Sequence, residues 1–226
     1  MSETPMNSAR PHFHRRLASL QRAAVAIGRE VQRSVADATD AWLRRDATAG
    51  AAVDARTMAW SARARDVEQS AYELIATQQP MASDLRQLTA LVRITEAVSR
   101  SGELVAHVAR SACFERDPDD FTARVRALVV EMATMAAMLY GNALTAYEDA
   151  DGAAGRAVAD DDLELDALRN ELIAALVEED CDVVPAVDLA LLGRFYERVG
   201  DHAVDIGRLA DFIANGRLPP TAVSST

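Results

Sequence analysis

Near the C-terminus, Leu189, Leu192, Tyr196, Val199, Ala203, Ile206, Ala210 and Ile213 recur at alternating spacings of three and four. That is the seam of a bundle helix, and it commits the segment to burial along one stripe. About a hundred residues earlier a worn copy of the same segment occurs. There Arg100-Ser101-Gly102-Glu103-Leu104-Val105-Ala106-His107 aligns with Arg198-Val199-Gly200-Asp201-His202-Ala203-Val204-Asp205. A repeat of this size implies duplication, with two three-helix units packed about a pseudo-twofold axis.

Helical periodicity breaks at few points and divides the chain into six long segments. These run from about Phe13 to Asp46, Ala51 to Thr77, Met81 to Cys113, Asp119 to Glu148, Gly155 to Glu179, and Ala186 to Asn215. Gln78-Gln79-Pro80 interrupts because a residue before proline is pushed out of the helical region. Asp117-Pro118-Asp119 makes another stop, the chain turns around Asp180 to Pro185, and Gly216 suits a helix C-terminus. Ala, Leu, Arg and Glu favour helix, and no long β-branched alternation suggests strands. The expected fold is all-α: six long helices as two pseudo-symmetric three-helix bundles. The first occupies residues 12–113 and the second 118–216, with loose Ser/Thr/Pro-rich ends at 1–11 and 217–226.

The net charge of -11 argues against a nucleic-acid binder, which needs basic surface to displace counterions. All 24 basic residues are Arg. Without lysine there is no Schiff-base chemistry and no ordinary Walker phosphate loop; a genome bias towards Arg codons is the bland account. Cys113 and Cys181 stand far apart with neither disulfide-framework nor zinc spacing. No Gly-x-Ser-x-Gly elbow, reactive-Cys context or Gly-rich phosphate cradle occurs, so an enzyme is not expected. No apolar run has signal-peptide length and none approaches a membrane span, which makes the cytoplasm the expected location.

The chemistry-bearing residues are carboxylates. Residues four apart stack on one helix face, so Glu197, Asp201 and Asp205 form an acidic ladder. It lies roughly opposite the seam and faces outward. That weakens a ferritin-like reading, which needs inward ligands and Glu-x-x-His pairs, none of which occurs. The fifth helix offers Asp162 and Asp166. Side by side, Asp162, Asp166, Glu197 and Asp201 would surround one site suited to a hard cation. Their repulsion must be relieved by a cation, by proton uptake, or by an arginine, with Arg169 and Arg198 nearby; a solvated acidic face laced with Arg pairs is the plainer alternative. In the first half the aligned positions read Thr57, Ser61, Ser99 and Glu103. Glu103 and His107 are four apart and could share a metal, or His107 could simply pack. His202 points about 100° away from Asp201 and suits a supporting or packing contact. His12 and His14 carry little information.

The chain resembles the phosphate-uptake regulator family known as PhoU, over about residues 12 to 216. Two elements carry the resemblance. Gln79-Pro80-Met81-Ala82-Ser83-Asp84-Leu85-Arg86 is similar to the family's QPxAxDLR element, and Tyr196-Glu197-Arg198-Val199-Gly200-Asp201-His202-Ala203 is the second. The resemblance implies two pseudo-symmetric three-helix bundles. It also implies a cytoplasmic negative regulator of phosphate uptake and phosphate-starvation signalling, linking the phosphate ABC transporter's ATPase to a membrane sensor histidine kinase. Contact with the membrane would come only through those partners, and a homodimer is expected. Family E/D-x-x-x-D motifs hold multinuclear clusters, which implies divalent or ferric ions at Asp162, Asp166, Glu197 and Asp201. Thr57, Ser61 and Ser99 depart from the pattern, so a first-half cluster is not expected. Two alternatives stand beside this reading: a metal-binding helical bundle with no kinase partner, and a paralogue serving another transporter or stress response.

Overall fold

The computed structural model describes residues 6–113, 121–179 and 181–217. Six helices account for nearly all of them: α1 (Met6–Arg44), α2 (Ala47–Gln78), α3 (Ser83–Ser111), α4 (Ala123–Glu148), α5 (Gly152–Glu178) and α6 (Val183–Asn215). No strand occurs among the described residues. The first helix starts ahead of the expected Phe13 and runs through Pro11. Asp117, Pro118 and Asp119 lie outside the described residues. The fourth helix starts later than expected, at Ala123, where the Thr122 hydroxyl accepts from the Val125 amide.

The duplication extends to individual hydrogen bonds. Arg45 and Ala150 hold corresponding positions, each with positive φ (58° and 50°). In the first repeat the Asp46 amide reaches back to the Ala41 carbonyl at 2.9 Å; in the second, Asp151 does the same to Ala146 at 2.9 Å. This is a left-handed helix stop, closed by a long backward bond. The same aspartate then caps the next helix: Asp46 accepts from the Ala49 amide, and Asp151 from those of Ala153 and Ala154. A capping carboxylate satisfies amides that the helix itself cannot pair. Hence α2 and α5 begin several residues earlier than periodicity alone placed them. The sixth helix is also longer than expected. Pro185 sits in its first turn, where a missing amide costs nothing.

Within each repeat the three helices pack on one another, and α1–α4 and α3–α6 join the halves. α6 touches α3, α4 and α5, so its buried surface is wider than one seam. Leu189, Leu192, Tyr196, Val199, Ala203, Ile206 and Ala210 are buried as the spacing predicts, and Gly200, His202, Val204 and Gly207 join them. One hydrophobic cluster spans both repeats; a smaller one, with Phe13, Leu17 and Leu88, closes the end of the first. Contrary to the sequence expectation, α4 is long and apolar enough to cross a membrane by length and composition. It packs against α1, α5 and α6, and 56% of that stretch is buried inside the molecule.

The closest helix crossings are also duplicated. A Cβ on Gly155 would lie 2.3 Å from the Gly207 carbonyl oxygen, and one on Gly50 would lie 2.5 Å from that of Ala109. Small residues at these corresponding positions let α5 meet α6, and α2 meet α3, backbone to backbone.

Candidate functional site

The crossing at Gly155 and Gly207 fixes the register of α5 on α6, and that register sets the acidic side chains beside one another. Two helical turns from the crossing, Asp162 presses its carboxylate on Gly200: a Cβ there would stand 2.5 Å from Asp162 Oδ1. Asp162 feels Asp166, Asp201 and Glu197 in turn, so the four expected carboxylates share one face. Burial and then these three neighbours push the Asp162 carboxyl up to about 7, against a partial pull down from Arg208. Asp166 and Asp201 are also raised, by burial first and then by Glu197. Loss of water and mutual repulsion both disfavour the charged form.

Glu197 is the centre of this face, and it points outward less than the ladder predicts. Its side chain is only 14% exposed, because two arginines cover it. Arg169 Nε lies 2.9 Å from Glu197 Oε2, and Arg194 bonds Oε1. The Arg169 contact is close but misaligned, ionic rather than a hydrogen bond, since neither atom has a hydrogen-bonding partner. Arg169 was legible in the sequence; Arg194 was missed and Arg198 wrongly favoured. Residues three apart share a helix face whereas adjacent ones diverge, and that spacing should have selected Arg194. Arg198 instead lies near His202 and helps hold its ring neutral.

Carboxylate oxygens suit a hard cation, and burial followed by like-charge repulsion raises these acids. Yet among the described residues no three acid, His or Cys side chains converge closely enough to hold a metal ion. As arranged, Arg169 and Arg194 do the neutralising at Glu197, and the donors do not form a cage.

The corresponding face of the first repeat has a different chemistry. Ser99 Oγ donates to Ser61 Oγ at 3.2 Å, where the second repeat sets Glu197 near Asp166. Trp60 covers Gly102 in the way Leu165 and Asp162 cover Gly200. His107 is within reach of the Glu103 charge, but its ring stacks on Phe195 of the other repeat, centroids 5.1 Å apart. Burial and Arg110 lower its pKa. His202 is buried between the halves, its Nδ1 3.0 Å from Ser101 Oγ, and burial takes it down to about 4. Both histidines therefore serve the contact between repeats. Thr39 and Tyr196 add a buried hydroxyl pair at 2.7 Å to the same contact.

The family profile described as PhoU domain matches residues 25–112 and 129–210, one match on each repeat. The chain belongs to the PhoU family. It is 33% identical over 159 residues to a phosphate-specific transport system accessory protein PhoU homolog 1 of Mycobacterium leprae, covering 70% of this chain and 72% of that one. A PhoU homolog 2 of Mycobacterium tuberculosis is 34% identical over 161 residues, 70% of this chain and 74% of its own. Among solved structures, the phosphate transport system regulatory protein PhoU of Streptococcus pneumoniae superposes with a TM-score of 0.83 at 18% identity, over 92% of this chain and 99% of that one. PhoU of Pseudomonas aeruginosa gives 0.81 at 24%, over 91% and 100%. At those identities the structures speak for the fold, which PhoU proteins share across distant sequences.

Proposed function

We propose that this PhoU protein is a non-enzymatic accessory regulator of phosphate transport. It restrains uptake and phosphate-starvation signalling in the cytoplasm by linking the transporter's ATPase to a sensor histidine kinase, and it works as a homodimer. The observation that carries this is the PhoU match on both repeats, together with relatives named as phosphate-specific transport accessory proteins. The chemistry is consistent with an adaptor: the acidic face holds raised carboxylates and arginine pairs, with no nucleophile beside a base. To relay transporter state, the adaptor must bind the two states of each partner with different affinity. Deleting the gene is expected to derepress phosphate-starvation genes in phosphate-rich medium. Repression that persists after deletion overturns the reading and favours a paralogue serving another transporter or stress response.

A second reading, metal binding at Asp162, Asp166, Glu197 and Asp201, is favoured by the burial and mutual repulsion that nearby arginines only partly offset. It requires Arg169 and Arg194 to release Glu197. Elemental analysis of the purified protein tests it: near-stoichiometric divalent or ferric metal, lost in Glu197→Gln plus Asp201→Asn, supports it, and metal-free wild-type protein excludes it.

A further inference from the structure

The element Gln79 to Arg86 leads into α3 at a place remote from the acidic face. Beside it lies a cleft of about 350 Å³ between the start of α3 and the end of α6, lined by Ala82, Leu85, Arg86, Thr89, Arg93 and Phe212. Its walls are apolar, Arg86 and Arg93 line it mainly through their carbon stems, and no acid occurs among the described lining residues. The neighbouring acids are engaged elsewhere, Asp84 with His14 and Asp211 with Arg156 and Asn215. Arg86 rests its guanidinium against Gly216 at the α6 C-terminus, and its buried Nε has no hydrogen-bonding partner among the described residues. An unpaired charged donor out of water is costly unless an acceptor arrives.

The fold does not demand cations here. In the register set by Gly102 and Gly200, the second repeat places Val184, Val187 and Leu191 where the first has Arg86, Thr89 and Arg93. In a chain of net charge -11, two arginines on one apolar cleft form a local reversal of sign. Residues 86, 89 and 93 share a helix face, and seven residues span about 10 Å along the axis. An extended peptide covers about the same distance in three residues.

We propose that this cleft binds an extended segment of a partner protein in which two carboxylates flank a pair of apolar residues. An apolar side chain enters against Leu85 and Phe212, and the carboxylates meet Arg86 and Arg93. The proposal does not depend on the phosphate reading. Long-range repulsion from the acidic chain works against such a ligand, so binding reports the local site rather than general charge.

The test is fluorescence anisotropy of the full chain with a short labelled peptide containing Glu-Leu-Phe-Glu. The expected result is saturable binding that weakens about tenfold or more in Arg93→Ala, in keeping with one lost charge-assisted bond. Thr89→Glu, an exposed substitution that places a carboxylate between the two arginines, should abolish binding with the melting temperature unchanged. Arg65→Ala on α2 should have no effect. Equal binding of the Gln-Leu-Phe-Gln or Glu-Ser-Ser-Glu peptides overturns the proposal, as does no binding at all. Displacement of the peptide by millimolar inorganic phosphate at constant ionic strength also overturns it, in favour of a free-oxyanion site.

Discussion

The two repeats agree where backbone meets backbone and differ where side chains meet solvent. Both close their first hairpin with the same left-handed stop, the same capping aspartate and the same small-residue crossing. Over the central glycine, however, the first repeat lays an indole and the second a carboxylate. The acids contrast as well. Glu30 accepts from Trp60 and Arg63, and these bonds hold its carboxyl below the usual range despite burial. Asp162 is half-buried, crowded by like charges, and held far above it. Duplication thus conserved the geometry that assembles a repeat and left the outer faces free to take opposite electrostatic states.

The crossing gives the largest test of that equivalence. Gly50→Ala and Gly155→Ala should each destabilise by about 2–3 kcal/mol, because the added methyl meets backbone and outweighs the helix-propensity gain. Urea unfolding of both variants measures this. A cost confined to one repeat would break the correspondence between the crossings.

The carboxylates should respond in opposite directions. The folded state holds a proton on Asp162 that the unfolded chain has already lost, so this group's penalty grows as pH rises from about 4 through about 7. Asp162→Asn should therefore stabilise by about 1–2 kcal/mol at pH 8, after allowance for solvent screening, with the gain vanishing near pH 4. Glu30 contributes stability above its unfolded value, lost as pH falls through the lower folded one. Glu30→Gln should cost about 1 kcal/mol at pH 8, from weakened bonds to Arg63 and Trp60, with the cost shrinking in acid. Melting curves across this range check both signs, and a shared sign would dissolve the contrast.

Much of this was legible in the sequence because helical burial is written at local spacings. The α6 seam needed only periodicity, and the two acidic ladders were legible by the same spacing, while their meeting was expected from the family resemblance. The missed features depend on geometry that spacing does not carry. The caps at Asp46 and Asp151 hide in an Asp-x-x-x-Gly pattern common to both hairpins, visible only after the repeats are aligned. The stacking of His107 on Phe195 joins helices from different repeats at an angle no local pattern specifies. Nor does any local pattern say that His202 will face Ser101 across the same boundary.

That boundary has a consequence for how such a protein can evolve. Because the larger apolar cluster is continuous from Val25 to Phe212, neither copy is an independent module that could be shed or recombined. A lone copy would have to wet Tyr140, Tyr196 and their neighbours. Selection could therefore rework one outer wall at a time, while the inherited partner held the reworked half in shape.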